Sequence, residues 1–174
     1  DTGINESDSF SFEVSASVLA TYNTHIIGSR IALNNSQIYV YIDFNNSRYS
    51  WGYGNKTTNN SSTTPVTGDY LVKNLSAART LDINSVTISA TAATFTNNFP
   101  LYLFCTNNGG SPLFGSNSAV LKINYAKIYD GSTLVRDYIS VRKNGVGYLY
   151  DKVSGQLFGN ANTGGAFTYG PDKT

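Results

Sequence analysis

The chain holds one cysteine, Cys105, one histidine, His25, no methionine and only 13% charged residues, about half the usual share. A single cysteine excludes an internal disulfide and a thiolate metal cage, and within the apolar run Leu101-Tyr-Leu-Phe-Cys105 it reads as a small buried hydrophobe. Charge is scarce in both signs. Twelve Lys and Arg against 11 Asp and Glu leave a formal net charge of +1, and no stretch gathers the Lys/Arg density that phosphate neutralisation requires. Nucleic acid is therefore not an expected partner. Membrane insertion is not expected either, because the longest apolar runs have strand length and fall far short of the ~20 residues of a spanning helix. Sustained helical periodicity is also missing.

What the chain has in quantity is aromatic rings, 13 Tyr and 9 Phe with one Trp, on a background of Asn, Ser, Thr and Gly. Such a composition builds an uncharged polar surface, which suits a secreted module that hydrogen-bonds neutral ligands and suits a bland solubilising coat equally well. At 174 residues the expectation is one domain spanning 1–174, large enough to bury a core without staples. Asp1 is not a natural start, so a leader or an upstream domain is expected ahead of it.

Period-two alternation organises the sequence. Phe10, Phe12, Val14, Ala16 and Val18 alternate with Ser11, Glu13, Ser15 and Ser17, giving a strand with one dry and one wet face. Ile38, Val40, Ile42 and Phe44 repeat the pattern opposite Tyr39, Tyr41 and Asp43, and Tyr49, Trp51 and Tyr53 alternate with Arg48, Ser50 and Gly52. Leu81–Ile83 and Val86–Ile88 flank Asn84-Ser85 as a tight hairpin. An all-apolar strand is expected over 101–105, a long one from Val120 to Tyr129 with a bulge near Asn124-Tyr125, and another from Leu134 to Val141. A last hairpin joins Tyr148–Tyr150 to Gln156–Phe158 across Lys152-Val-Ser-Gly155, and Asn55 to Thr67 reads as a low-complexity loop. About a dozen short strands separated by turn signals imply an all-β antiparallel two-sheet β-sandwich of jelly-roll type.

Asp1-Thr-Gly-Ile4, Ile27-Gly-Ser-Arg30, Tyr53-Gly54, Leu101-Tyr-Leu-Phe104 with Asn107, Lys127-Ile-Tyr-Asp, Leu134-Val-Arg-Asp-Tyr-Ile and Leu149-Tyr-Asp-Lys follow one another along nearly the whole chain. In that order they resemble the concanavalin A-like, laminin G-like jelly-roll domains, in particular a group found in gut-bacterial surface proteins and phage or prophage tail proteins. The resemblance implies carbohydrate binding or adhesion to a cell-surface glycan, and an extracellular place on a bacterial surface or a phage virion.

Catalysis is not expected. Glycosidases on this scaffold place two carboxylates on one strand face about 5 Å apart, whereas the only glutamates, Glu6 and Glu13, stand seven residues apart outside any such motif. No Gly-x-Ser-x-Gly elbow is present, and lone His25 reads as a structural residue. No cofactor is expected. Asp43-Phe-Asn-Asn46 offers oxygens for Ca²⁺ but lacks a second carboxylate nearby, and it reads first as a self-capping Asx turn.

The candidate carbohydrate site is the row Tyr49, Trp51 and Tyr53, whose rings recur about every 7 Å along one strand face and suit successive sugar faces, with Arg48 for hydroxyls. As the one Trp of a small sandwich, Trp51 itself reads first as inter-sheet core, with the platform as its second reading. Tyr39 and Tyr41 are expected exposed if Ile38, Val40 and Ile42 are core. Function is thus sought between Tyr39 and Tyr53 and in the following loop, away from the strand-and-turn phrases of the second half. Two readings remain: a non-catalytic carbohydrate-binding module, or a structural unit of a fibre, tail, capsid decoration or filament that packs as a homo-oligomer or within a larger multidomain chain.

Overall fold

In the computed structural model, the described residues are all but 6, 8, 34, 55–57, 92–94, 96, 116–120, 162–165 and 170–174. Among them fifteen β-strands form two sheets, and the only helical turn is a short 3-10 segment at Ser76–Ala78. Sheet 1 contains β1 (Phe10–Val18), β6 (Gly68–Leu75), β7 (Thr80–Ile83), β8 (Val86–Ser89), β12 (Leu121–Asp130), β13 (Thr133–Lys143), β14 (Val146–Asp151) and β15 (Gln156–Phe158). Its spatial order is β15-β14-β13-β12-β1-β6-β7-β8. Sheet 2 contains β2 (Thr24–Ala32), β3 (Asn35–Asp43), β4 (Arg48–Gly54), β5 (Asn59–Asn60), β9 (Tyr102–Leu103), β10 (Thr106–Asn108) and β11 (Ser111–Leu113). Its order is β11-β10-β2-β3-β4-β5, with β9 also pairing β2, and β10 runs parallel to β2 while the other pairs are antiparallel. The expected all-β antiparallel sandwich is what forms.

Strand parity puts the core where alternation placed it. Phe12, Val14, Ala16 and Val18 of β1 share one buried cluster with Ile38, Val40 and Ile42 of β3 and with Tyr49, Trp51 and Tyr53 of β4. Turn chemistry then sets the registers. Ile83 pairs with Val86 across Asn84-Ser85, with Asn84 at φ 53°, and Lys143 pairs with Val146 across Asn144-Gly145, both at positive φ as a two-residue hairpin turn demands. The bulge falls where the alternation slips: the β1 pairing passes from Ser15↔Tyr125 to Ala16↔Ile123 and skips Asn124.

The turn Lys152–Gly155 is pinned by Asp151, fully buried, whose carboxylate accepts bonds from the Asp137, Val153 and Ser154 amides and the Ser154 hydroxyl. Those bonds lower the Asp151 pKa even though burial alone pushes it up.

Two expectations change. The run 101–105 is a strand only at Tyr102–Leu103, because Phe104 turns into the left-handed region at φ 69° and the chain leaves β2 before rejoining it as β10. The segment from Asn55 to Thr67 is not wholly loop, since Asn59–Asn60 pairs with β4 as an edge strand, while 55–57 lie outside the described residues. Val120, expected to begin the long strand, also lies outside them.

Trp51 fills the core and its Nε1 is buried with no hydrogen-bond partner among the described residues. Trp51→Ala is expected to destabilise the fold by about 3–5 kcal/mol in urea titration, through lost transfer energy plus a cavity. Trp51→Phe, which also removes the orphan N–H, is expected to cost clearly less.

Candidate functional site

The structure removes the aromatic platform proposed at Tyr49, Trp51 and Tyr53, and for Trp51 it bears out the core reading. Their relative exposures are 5%, 0% and 2%, so no ring has a face left for a ligand. Trp51 packs at 4.7 Å on Tyr53, Tyr53 meets Phe95 edge-on and Tyr49 meets Tyr70 edge-on, all inside the inter-sheet core. Alternation alone marks these three as one face of β4. It leaves open which face, and the pairings Val40↔Trp51, Ile42↔Tyr49 and Ile38↔Tyr53 put them with the apolar face of β3.

The outer face of sheet 2 carries Tyr39, Tyr41 and Arg48. Tyr39, expected exposed, is only 5% accessible. Its neighbours across the sheet are Gly28 on one side and Gly52 on the other. A Cβ on Gly52 would stand 2.2 Å from Cε1 of Tyr39, so the ring lies down on bare backbone instead of standing into solvent. Arg30 sits 5.6 Å from the ring centroid, His25 meets it edge-on, and its hydroxyl hydrogen-bonds Thr58. Tyr41 is half-buried, stacked at 4.4 Å on His25, and burial with the nearby Asp43 charge raises its pKa. Of the rings expected to bind sugar, Tyr41 alone keeps a partly open face.

Arg48 is half-buried and its Nε donates to Asp43 Oδ2 at 3.1 Å. The same carboxylate accepts from the backbone N–H and the side-chain amide of Asn46. Asp43 thus caps its own turn, and Arg48 supplies the positive charge beside it. Among the described residues no three His, Cys, Asp or Glu side chains gather as a metal site.

His25 completes this face. It is 6% exposed, its Nδ1 shares a 2.8 Å hydrogen bond with the Thr106 hydroxyl, and burial, aided by the Arg30 charge, pushes its pKa down to about 3. The imidazole is therefore held neutral as a structural group.

A large concave feature lies elsewhere, mostly in the second half of the chain. Residues of β12–β15 of sheet 1 and, from sheet 2, of β9, β11 and the turns beside them line a cleft of about 1640 Å³. This exceeds the 300–1,000 Å³ usual for small-molecule pockets and suits an extended ligand. Its floor is Tyr138 and Leu149, both buried. Tyr102, Phe104, Tyr148 and Phe158 are half-buried on its walls, and Phe114 and Tyr169 are about half exposed at 49% and 48%. Asn124, Ser140 and Asn160 add neutral polar groups. Cys105 also lines it, with its thiol pushed up to about 11 by burial.

Phe104 is the strained member. A bulky side chain at φ 69° is uncommon, and such outliers concentrate at functional sites. Its amide is held by the Ile26 carbonyl at 2.9 Å and its ring stacks on Phe167 at 4.9 Å. Sequence reasoning directed the search away from these segments because their phrases spell strands and turns. A left-handed Phe carries no signal in alternation.

No protein-family model matches the chain, and neither does any curated protein or solved structure. The concanavalin A-like resemblance consequently stands on the sequence phrases alone.

A pH effect follows from His25. The unfolded chain takes up its proton near pH 6.5 and the folded protein only near pH 3, so between them the unfolded state holds more protons and stability falls as pH falls. Urea midpoints are expected to drop from pH 7 to pH 5, at a limiting slope of about 1 kcal/mol per pH unit. Because His25 is the chain's only histidine, His25→Gln should flatten that limb.

Proposed function

We propose that the protein is a non-catalytic carbohydrate-binding or adhesion module of the concanavalin A-like, laminin G-like kind. It acts outside the cell, on a bacterial surface or a phage virion, and its glycan lies in the cleft lined by β12–β15, β9 and β11. The observation that carries this reading is the cleft wall, where half-open aromatic rings surround a concave space and alternate with amides and hydroxyls. Sugar rings present C–H-rich faces that stack on aromatics and hydroxyls that need hydrogen-bond partners, and this lining offers both. The strained Phe104 adds a ring that the fold places in the cleft at a conformational cost.

Among the described residues the lining contains a single side-chain carboxyl, Asp1, whereas glycoside hydrolysis uses two flanking the scissile bond. Glu13 lies on sheet 1, bonded to the Tyr125 hydroxyl and to Lys73, and those bonds hold its carboxyl below the usual range. Glu6 lies outside the described residues. Binding without turnover is the chemistry that this arrangement favours.

A glycan array on the wild type, followed by titration of the strongest hit, tests the reading. Tyr148→Ala and Phe114→Ala are expected to weaken binding ten-fold or more with unchanged melting temperature. Retained affinity in both would remove the cleft as the seat. A wild type that binds no glycan and elutes as a large oligomer would replace this reading with the structural one.

A further inference from the structure

The water-facing side of an antiparallel sheet is ordinarily polar, and sheet 1 departs from that rule along one line. Successive pairings set Leu71, Ser15, Tyr125, Ile139, Tyr150 and Leu157 side by side across six strands, from β6 through β1, β12, β13 and β14 to β15. Their chain neighbours Val72, Val14, Ala126, Tyr138 and Leu149 fill the core, so the row faces outward. Leu71 and Leu157 at its ends are 38% and 39% exposed, and Tyr125, Ile139 and Tyr150 between them are half-buried.

A second row lies beside it, two residues along each strand: Lys73, Glu13, Lys127, Asp137 and Lys152. The sign of the charge alternates at every step. Lys73 bridges Glu13 at 3.1 Å, Lys152 bridges Asp137 at 2.7 Å and Lys127 sits 5.6 Å from the centroid of the Tyr125 ring, so the ladder is ordered within one chain. Three of the five large side chains of the apolar row are aliphatic and offer no flat ring to a sugar. A ladder of alternating sign is best met by another of the same kind, and this face carries one.

We propose that sheet 1 packs face to face with a second copy of the chain, about a two-fold axis that runs along the strands between β12 and β13. That operation lays β12 over β13 of the other copy, β1 over β14 and β6 over β15. The apolar row then closes on itself, with Leu71 against Leu157, Tyr125 against Ile139, and Ser15 leaving room for the ring of Tyr150. The same axis sets Glu13 opposite Lys152 and Lys127 opposite Asp137, each twice by symmetry. An axis one half-step away, along β12, would instead oppose Lys127 to itself, Lys73 to Lys152 and Glu13 to Asp137, so charge selects the register. Six strands span roughly 30 Å and share about 20 Å of length, which covers on the order of 600 Å² per copy and 1,200 Å² in all, the lower bound for a specific interface. The cleft draws on the inner side of these strands, at Tyr138 and Leu149, so the pairing stands apart from the glycan reading.

Sedimentation equilibrium of the full chain from roughly 1 to 200 µM is the test, and a dimer with a micromolar dissociation constant is expected. Tyr150→Arg should give a monomer whose melting temperature in dilute solution matches that of the wild type. Glu13→Lys and Lys152→Glu, each alone, set like charges against each other twice per pair and are expected to weaken the dimer ten-fold or more. Mixed in equal amounts they should recover the wild-type constant, because each supplies the charge that the other lacks, and no loss of fold in either variant could produce that recovery. A wild type that stays monomeric throughout would overturn the inference. So would a dimer unmoved by Tyr150→Arg, or a mixture no tighter than its components, since another face or axis would then be in use. A monomer that binds insoluble polysaccharide and loses it in Tyr150→Arg would overturn it as well, by giving the row to a glycan surface.

Discussion

The structure depends on one constraint: β3 and β4 are covered on both faces. Their inner faces give Ile38, Val40, Ile42, Tyr49, Trp51 and Tyr53 to a core shared with Phe12, Val14 and Ala16 of β1. Their outer faces are largely closed as well, with Gln37, Tyr39, Asp43 and Ser50 buried and Tyr41 and Arg48 half-buried. Burying rings of this size on the inside is a large hydrophobic gain, on the order of 1.5–3 kcal/mol for each large side chain. The outer closure is polar, and it holds because nearly every group there finds a partner. Ser50 donates to Asn60, Tyr39 bonds Thr58, His25 bonds Thr106 and Asp43 takes three donors. A sheet fixed in this way on both sides is a rigid backing and has little to give a ligand.

That closure explains the neutral imidazole and the two glycines. In a position surrounded by Tyr39, Tyr41 and Arg30 a charged imidazole would lose its hydration next to another cation, so the neutral form wins. Gly28 and Gly52 provide the room in which a tyrosine ring can lie parallel to the sheet, and any side chain at Gly52 would meet that ring. The polar layer therefore behaves like a second, hydrogen-bonded core, satisfied pair by pair, in which a missing partner would be costly.

The fold was legible in the sequence wherever the signal was local. Asn84-Ser85 gave its hairpin, the slip near Asn124 gave its bulge, and Lys152–Gly155 gave the last turn, because turn residues act through their own backbone geometry. The class of sandwich followed from period two. The candidate site did not, for two physical reasons. Parity sorts a strand's residues into two sets but does not say that both will be covered, and it took the glycines beside Tyr39 to cover the second. Concavity, in turn, is a property of two sheets taken together, and no strand carries it alone. Trp51 and Tyr53 look from the sequence like a stacking row because a sugar platform and an aromatic core have the same spacing.

The strands that line the cleft are unequal in the two sheets. In sheet 1, β12 and β13 run on as ten- and eleven-residue strands, while the facing side of sheet 2 is built from β9, β10 and β11 of two or three residues each. Short strands give a narrow wall, and the left-handed Phe104 breaks even that wall between β9 and β10. A continuous strand over 101–105 would alternate its side chains, sending Leu101, Leu103 and Cys105 to one face and Tyr102 and Phe104 to the other. The break frees Phe104 from that alternation, and its ring reaches Phe167 across the groove. Extending the wall with a regular strand would satisfy more backbone and remove an unfavourable φ, so a sequence shaped by stability alone would be expected to do so. The retained strain makes sense if the ring at that position is what the cleft is for.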